Sequence, residues 1–308
     1  MQILVTGVSG YVGAALAPAL AREGHAVRGF ARSPERVAAA GVELDELVTG
    51  DALTGAGLEA AMDGIDVAYY LIHSMEGPAG GAFPDQERRA AEHFARAAQA
   101  AGVRRIVYLG GLVPREDAVS RHLASRLAVE EALLAGAAES IALRASIVIG
   151  ARSRSFRFLV RLIERLPVLA LPAWRHNRTR PIDGRDVLAY LVASAEAPAA
   201  LSGRSWDIAG PDTVTYEELI DRIAESMLVA RPKLGLGFTL TPVASQLAAA
   251  VAGEDPALIE PLMEGLEHDL LPRDDAAAPA FGIRLHSFDA AVERALRDWE
   301  LTEEVAAR

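Results

Sequence analysis

Three glycines near the start of the chain, Gly7, Gly10 and Gly13, follow Thr6 in "TGVSGYVG" with the spacing G-x-x-G-x-x-G. The chemistry that suits this spacing is phosphate binding. The first glycine permits a tight turn out of a strand, and the second lets the backbone approach a pyrophosphate. The third lets the following helix pack closely on the strand, and the helix N-terminus then offers free N–H groups to the phosphates. Small residues at such a junction can also serve packing alone. Here the turn leaves the apolar stretch "QILVT", opens a helical segment and begins a β-α-β unit, which favours a cradle. Thr6, Ser9, Tyr11 and Val12 are expected to line it with the glycines.

The end of the second strand indicates which dinucleotide. An NAD site places an Asp or Glu there to hold the ribose 2′-OH. This strand ends "GFARSPER", with Arg32 and Ser33 in place and no acid before Glu35. Arginine suits a 2′-phosphate through charge-assisted hydrogen bonds, so the expected cofactor is NADP(H). The plainer alternative makes Arg32 a solvated surface residue and Ser33 a helix cap before Pro34. Asp51, in "TGDAL", reaches towards the adenine on one reading and caps the next turn on the other. Leu71, His73 and Ser74 close the fourth strand, where a sheet edge would face the nicotinamide half. His73 is a candidate proton donor there, or a histidine hydrogen-bonded within a loop. The other histidines have no metal-ligand spacing.

The elements that must position these groups follow a clear rhythm. Strand-like segments at 2–6, 25–31, 43–51, 66–72, 104–110 and 140–150 alternate with helical ones. "DVAYYLI" lacks clean alternation, as expected of a strand buried on both faces, which makes Tyr69 and Tyr70 core residues. Six strands alternating with helices predict an α/β fold, a doubly wound parallel sheet of the Rossmann kind. Residues 1–150 form the dinucleotide-binding core, and 181–210 return to it through a further strand, "SWDIAG". Residues 151–180 and 211–308 are expected to build a smaller, mainly helical lobe for substrate, over the C-terminal edge of the sheet. "TYEELIDRIAESML" opens its helix with a capping box, Thr215 with Glu218.

Composition bounds the function. The chain has 308 residues, 51% hydrophobic and 24% charged, enough for a substantial core. Its net charge of -11 argues against nucleic acid as the main partner. With no cysteine, neither disulfides nor thiol chemistry is available. Met1 leads directly into the first strand and no apolar run reaches the roughly 18 residues of a membrane span. A soluble, cytoplasmic protein without a membrane span is the expectation. Lys233 is the single lysine among 31 basic residues, so an arginine where lysine is usual carries little meaning.

With "TGVSGYVG", the "GD" at 50–51 and this rhythm, the chain resembles the short-chain dehydrogenase/reductase superfamily. "AYYLIHSM" (68–75), "RRIVYLGGL" (104–112) and "LRASIVIG" (143–150) are similar to its atypical, NmrA-like NAD(P)H-binding branch. The likeness runs to about residue 228. It implies an NADP-binding lobe with a variable substrate lobe. Active members carry Tyr-x-x-x-Lys on the helix after strand five and a Ser or Thr at that strand's end. The lysine lowers the tyrosine pKa, and the phenol then exchanges a proton with the substrate oxygen. In this chain His122 and Arg126 stand in the tyrosine and lysine positions, and Gly110 and Gly111 in the region of the hydroxyl residue. On one reading His122 is the proton donor and Arg126 orients the nicotinamide ribose. On the other, His122 is an ordinary polar helix residue. An NADPH-dependent reductase acting on a carbonyl, quinone or conjugated double bond leads. A catalytically silent NADP(H) sensor competes, and an epimerase or dehydratase stands further back.

From Arg144 to Arg180 lie nine arginines (144, 152, 154, 157, 161, 165, 175, 178 and 180) and one acid, Glu164. The stretch could clamp a carboxylate or phosphate of an anionic small-molecule substrate, or be a salt-bridged surface. Trp174 within it is a pocket wall or a loop aromatic. The apolar stripe at 242–253 reads as a lobe or dimer helix, so a monomer or homodimer is expected.

Overall fold

The computed structural model describes residues 1–72, 83–114, 121–236 and 266–303, with the side chains of 83–84 and 121–124 excepted. The stripe at 242–253 therefore lies outside the described residues. Six strands appear in chain order: β1 (Gln2–Thr6), β2 (Ala26–Ala31), β3 (Glu46–Thr49), β4 (Val67–Tyr70), β5 (Arg105–Gly111) and β6 (Ile141–Ala145). Short ribbons follow: β7 (Val148–Ile149) pairs with β10 (Ile182–Asp183), β8 (Leu169–Leu171) with β13 (Lys233–Gly235), and β9 (Arg178–Thr179) with β12 (Val214–Thr215). β11 (Arg204–Ile208) joins the first six strands in one seven-stranded sheet, ordered β3-β2-β1-β4-β5-β6-β11. Every neighbouring pair in it is parallel. The strand order reverses between β1 and β4, and the crevice outside their carboxyl ends is where open α/β sheets bind ligands.

Alternation within the strands buries both faces, as parallel sheets require. Ile3 and Val5 point to one core, which α1 (Tyr11–Arg22) and a later helix, Gly184–Ala195, cover with Leu16, Leu20 and Leu191. Leu4 and Ala68 point to the other face. α2 (Pro34–Ala39) adds Val37 to the first core, and in chain order α3 (Leu58–Met62), α4 (Phe83–Ala100) and α5 (Arg121–Leu134) follow it. α3, α4 and α5 pack the face of Leu4 and Ala68 through Met62, Phe94 and Leu133. A third core gathers α6 (Arg154–Arg165), α8 (Tyr216–Ser226) and α10 (Phe288–Glu300) around Phe156, Leu219 and Trp299, the helix Gly184–Ala195 being α7. The capping box of α8 forms as its sequence predicts. α9 (Ala277–Phe281) returns to the sheet, where the Phe281 ring packs edge-on to Tyr190 and Trp206.

One expectation about the elements changes. Residues 140–150 are two strands: β6 stops at Ala145, Ser146 N–H bonds the Ile208 carbonyl, and β7 pairs with β10 outside the sheet. Among the described residues of the C-terminal region, α9 and α10 are helical, while β13 and the segments 266–276 and 282–287 carry no helix. No described helix is long and apolar enough to cross a membrane.

Candidate functional site

The glycine turn has the geometry that a dinucleotide needs. Gly7 adopts φ +64°, the left-handed region that favours glycine, and a Cβ there would lie 2.5 Å from the Leu71 carbonyl oxygen. Gly10 N–H donates to the Gly7 carbonyl at 2.9 Å and caps α1 without any side-chain hydrogen bond. The first amides of α1 are thus left for a ligand. A Cβ on Gly13 would run into the Gly7 carbonyl, so only glycine lets the helix sit this close to the turn. Ser9, Tyr11 and Val12 are partly exposed along the same turn.

Thr6 and Leu71 serve the turn from beneath. The buried Thr6 hydroxyl donates to the Tyr69 carbonyl at 2.9 Å and accepts from Leu71 N–H at 3.1 Å. It ties β1 to β4 at the crevice, so its side chain faces the strands rather than a ligand. Leu71 is buried, with its carbonyl pressed against Gly7.

At the end of β2, Arg32 is exposed and forms no ion pair among the described residues. Ser33 is the N-cap of α2: its hydroxyl accepts from Arg36 N–H at 3.2 Å and donates to Glu35 at 2.6 Å. That hydrogen bond holds the Glu35 carboxyl below its ordinary range. Asp51 accepts from Leu53 N–H at 2.9 Å, the turn-capping alternative.

His73 and Ser74 lie outside the described residues. His122 falls in the first turn of α5, one helical turn before Arg126, and its side chain is not among those described. Arg126 is half-buried, and its Nη1 would lie 3.3 Å from a Cβ on Gly111 at the end of β5. Gly110 has a definite physical reason. A Cβ there would meet the Tyr108 ring at 2.8 Å and its hydroxyl at 3.0 Å. Tyr108 folds under the strand end and leaves no room for a Ser or Thr side chain. Burial pushes the phenols of Tyr69, Tyr70 and Tyr108 far above the ordinary range, so they stay neutral near neutral pH. The Tyr69 hydroxyl donates to the Leu191 carbonyl at 2.8 Å.

Much of the arginine-rich stretch is paired with carboxylates, as in the salt-bridged alternative. Arg144 pairs with Glu130 through two hydrogen bonds of 2.8 and 2.6 Å, in a buried pair. Arg157 and Arg161 both reach Glu303 at 2.8 Å. Arg178 binds Asp269 at 2.7 Å, Arg180 binds Asp275 at 2.5 Å, and Arg175 approaches Glu217 at 3.5 Å. Their acids come from distant parts of the chain, so local charge counting overstates the patch. Arg152 is exposed, and its charge acts on Tyr11. Trp174 is buried edge-on against Tyr216, their ring centroids 6.0 Å apart, in a small core with Phe158.

Sequence reasoning missed one contact at the cradle. The Tyr11 hydroxyl lies against Gly150 and Gly184, where a Cβ on either glycine would collide with it. The available signal was two short strands, "VI" and "ID", each followed by glycine.

A parallel sheet with its order reversed beside an uncapped, glycine-opened helix defines a dinucleotide-binding Rossmann protein. Residues 7–146 match the sequence model of the NAD(P)H-binding family. The chain is 29% identical to a ceramide reductase of Caulobacter vibrioides over 233 residues, 75% of this chain and 72% of that protein. It is 27% identical to a mitochondrial NADH dehydrogenase [ubiquinone] 1 alpha subcomplex subunit 9 of Arabidopsis thaliana, over 80% of this chain and 62% of that subunit. A short-chain dehydrogenase/reductase superfamily protein of Agrobacterium tumefaciens, solved with bound NAD, superposes with a TM-score of 0.70 at 20% identity, covering 98% of each chain. Over residues 7–146 the chain is thus similar to NAD(P)H-binding proteins, and its fold is the one seen in that short-chain dehydrogenase/reductase superfamily structure.

Proposed function

We propose that this protein is an NADPH-dependent reductase that passes hydride to a carbonyl, quinone or conjugated double bond of a small organic molecule. The observation that carries the reading is the uncapped N-terminus of α1 with Arg32 in solvent, unpaired with any described carboxylate, at the end of β2. The α1 amides would hold the pyrophosphate, and Arg32 the 2′-phosphate that distinguishes NADPH from NADH. When bound, NADPH supplies the hydride. The chain's own task is to orient the reacting groups and deliver a proton. Arg126, beside Gly111, would orient the nicotinamide ribose, and His122, one turn earlier on α5, would protonate the substrate oxygen. Residues 151–180 and 211–308 would supply the substrate lobe. The relative named as a ceramide reductase supports the reductive direction.

A second reading rests on Tyr108 and Gly110. The packed phenol crowds out a side chain at Gly110, in the region where active relatives carry a hydroxyl residue, which suits a protein that binds NADP(H) without turnover. Loss of NADPH absorbance against a panel of ketones, long-chain keto compounds and quinones separates the two. Turnover with NADPH that His122→Phe lowers by about 10²-fold supports the reductase. Tight NADPH binding with no turnover across the panel supports the silent protein. No NADPH binding at all would sink both.

A further inference from the structure

We infer that Tyr11 is a positioning residue of the dinucleotide site, and that Gly150 and Gly184 form the socket that seats it. The inference rests on reading the glycine turn as the dinucleotide cradle. Tyr11 is the first residue of α1, directly after Gly10, so its backbone belongs to the amides that face the phosphates. Its side chain runs the other way, across to two glycines far along the chain. Gly150 follows β7 and Gly184 follows β10, and these strands pair in parallel with Asp183 opposite Ile149, so the next residue of each is a glycine. The Tyr11 hydroxyl packs against both: a Cβ on either would collide with it.

The tyrosine is the closest neighbour that a side chain at either glycine would meet. Neither adopts positive φ, so the backbone tolerates a larger residue at both positions. Gly184 is also the first residue of α7, where alanine is the better helix former. What alanine would meet is the tyrosine. At Gly184 the next neighbours after the hydroxyl are the Ile149 carbonyl at 3.3 Å and Tyr11 Cζ at 3.4 Å. At Gly150 the ring carbon Cζ itself is only 2.9 Å away.

The socket is rigid because a buried charge network holds its rim. The Asp183 side chain is fully buried and caps α7, accepting from Arg185 N–H at 2.7 Å and from Arg294 Nη2 of α10 at 2.9 Å. Burial raises the Tyr11 phenol above its ordinary range, so it seats as a neutral group. A half-buried tyrosine anchored this way fixes the angle at which α1 leaves the glycine turn, and with it the direction of the phosphate-facing amides. The same anchor joins the cradle to α7 and α10.

The test is a double-mutant cycle read as NADPH dissociation constants from fluorescence titration of the full chain. Gly184→Ala is expected to weaken NADPH roughly tenfold, the effect of overpacking a seated side chain. Combining it with Tyr11→Phe removes the atom that the new methyl strikes hardest, and affinity is expected to recover to within about threefold of the Tyr11→Phe single variant. Gly150→Ala, whose methyl also meets the ring, is expected to recover less. Tyr11→Ala empties the socket without adding volume and is expected to weaken NADPH even if the Gly184→Ala protein folds poorly. Additive effects of Gly184→Ala and Tyr11→Phe overturn the inference, as does unchanged affinity in Tyr11→Ala. Failure of the unsubstituted protein to bind NADPH overturns the cradle reading itself, and the inference with it.

Discussion

Where β2 gives way to α2, the chain passes through Ala31, Arg32 and Ser33. Of these, Ser33 is occupied as a helix cap, and Arg32 is exposed, the residue proposed to meet a 2′-phosphate. A hydrogen bond to a charged group is worth about 1.5–3 kcal/mol. Arg32→Ala should therefore weaken NADPH by roughly 10- to 100-fold and NADH far less, measured by calorimetric titration with each. Equal weakening would refute the 2′-phosphate role. The sequence already shows that no acid stands here before Glu35, and the structure adds that Arg32 is exposed. The glycines were legible because a turn of that shape admits few alternatives. Tyr108 under Gly110 was not, because residue order says nothing about which way a ring folds. Nor did the sequence reveal that Thr6 turns its hydroxyl to the Tyr69 carbonyl.

At the scale of elements, apolar runs announced the strands well but not their partners. "SIALRASIVIG" reads as a single strand because hydrophobic continuity does not mark where a chain leaves a sheet. The break at Ser146 comes from pairing: β7 finds β10, while β6 keeps β11. A second long-range device joins β5 to the end of α7. Arg105, wholly buried, donates to the carbonyls of Ser194 at 2.8 Å, Ala195 at 2.9 Å and Ala197 at 2.6 Å. It also bonds the Glu139 carboxylate at 2.6 Å. Without it, the last carbonyls of α7 would be buried and unpaired. Arg105→Met keeps the stem and removes these bonds, and should cost about 3–5 kcal/mol, read as a lower urea midpoint. Arg105 opens β5, at the opposite end of the sheet from the glycine turn, so NADPH affinity of the folded protein should persist. A fall in affinity with stability intact would contradict this division of labour.

Across the whole molecule, one carboxylate joins the sheet-bound α7 to the third core. Asp183 caps α7 and holds Arg294 of α10, whose neighbours on that helix pack around Trp299. Burial by itself would raise the Asp183 pKa, but hydrogen bonds from the Arg185 side chain and backbone, with the Arg294 charge, outweigh it and hold the carboxyl below its ordinary range. The sign of the pH dependence follows from that direction. A carboxylate whose folded pKa lies below its unfolded value of about 3.9 gives its full stabilisation above that value. The stabilisation is then lost as the pH falls through the lower, folded pKa. Glu303, held low chiefly by its hydrogen bond from Arg157, acts in the same direction. Stability should therefore decline steeply below about pH 4. Asp183→Asn keeps a capping oxygen but no charge, so it should be less stable than the parent at neutral pH and decline less on acidification. Thermal midpoints of both proteins, followed from neutral pH into the acid range, test this. Parallel curves would mean that the Asp183–Arg294 join contributes nothing through its charge, and that α10 is held by its apolar face alone.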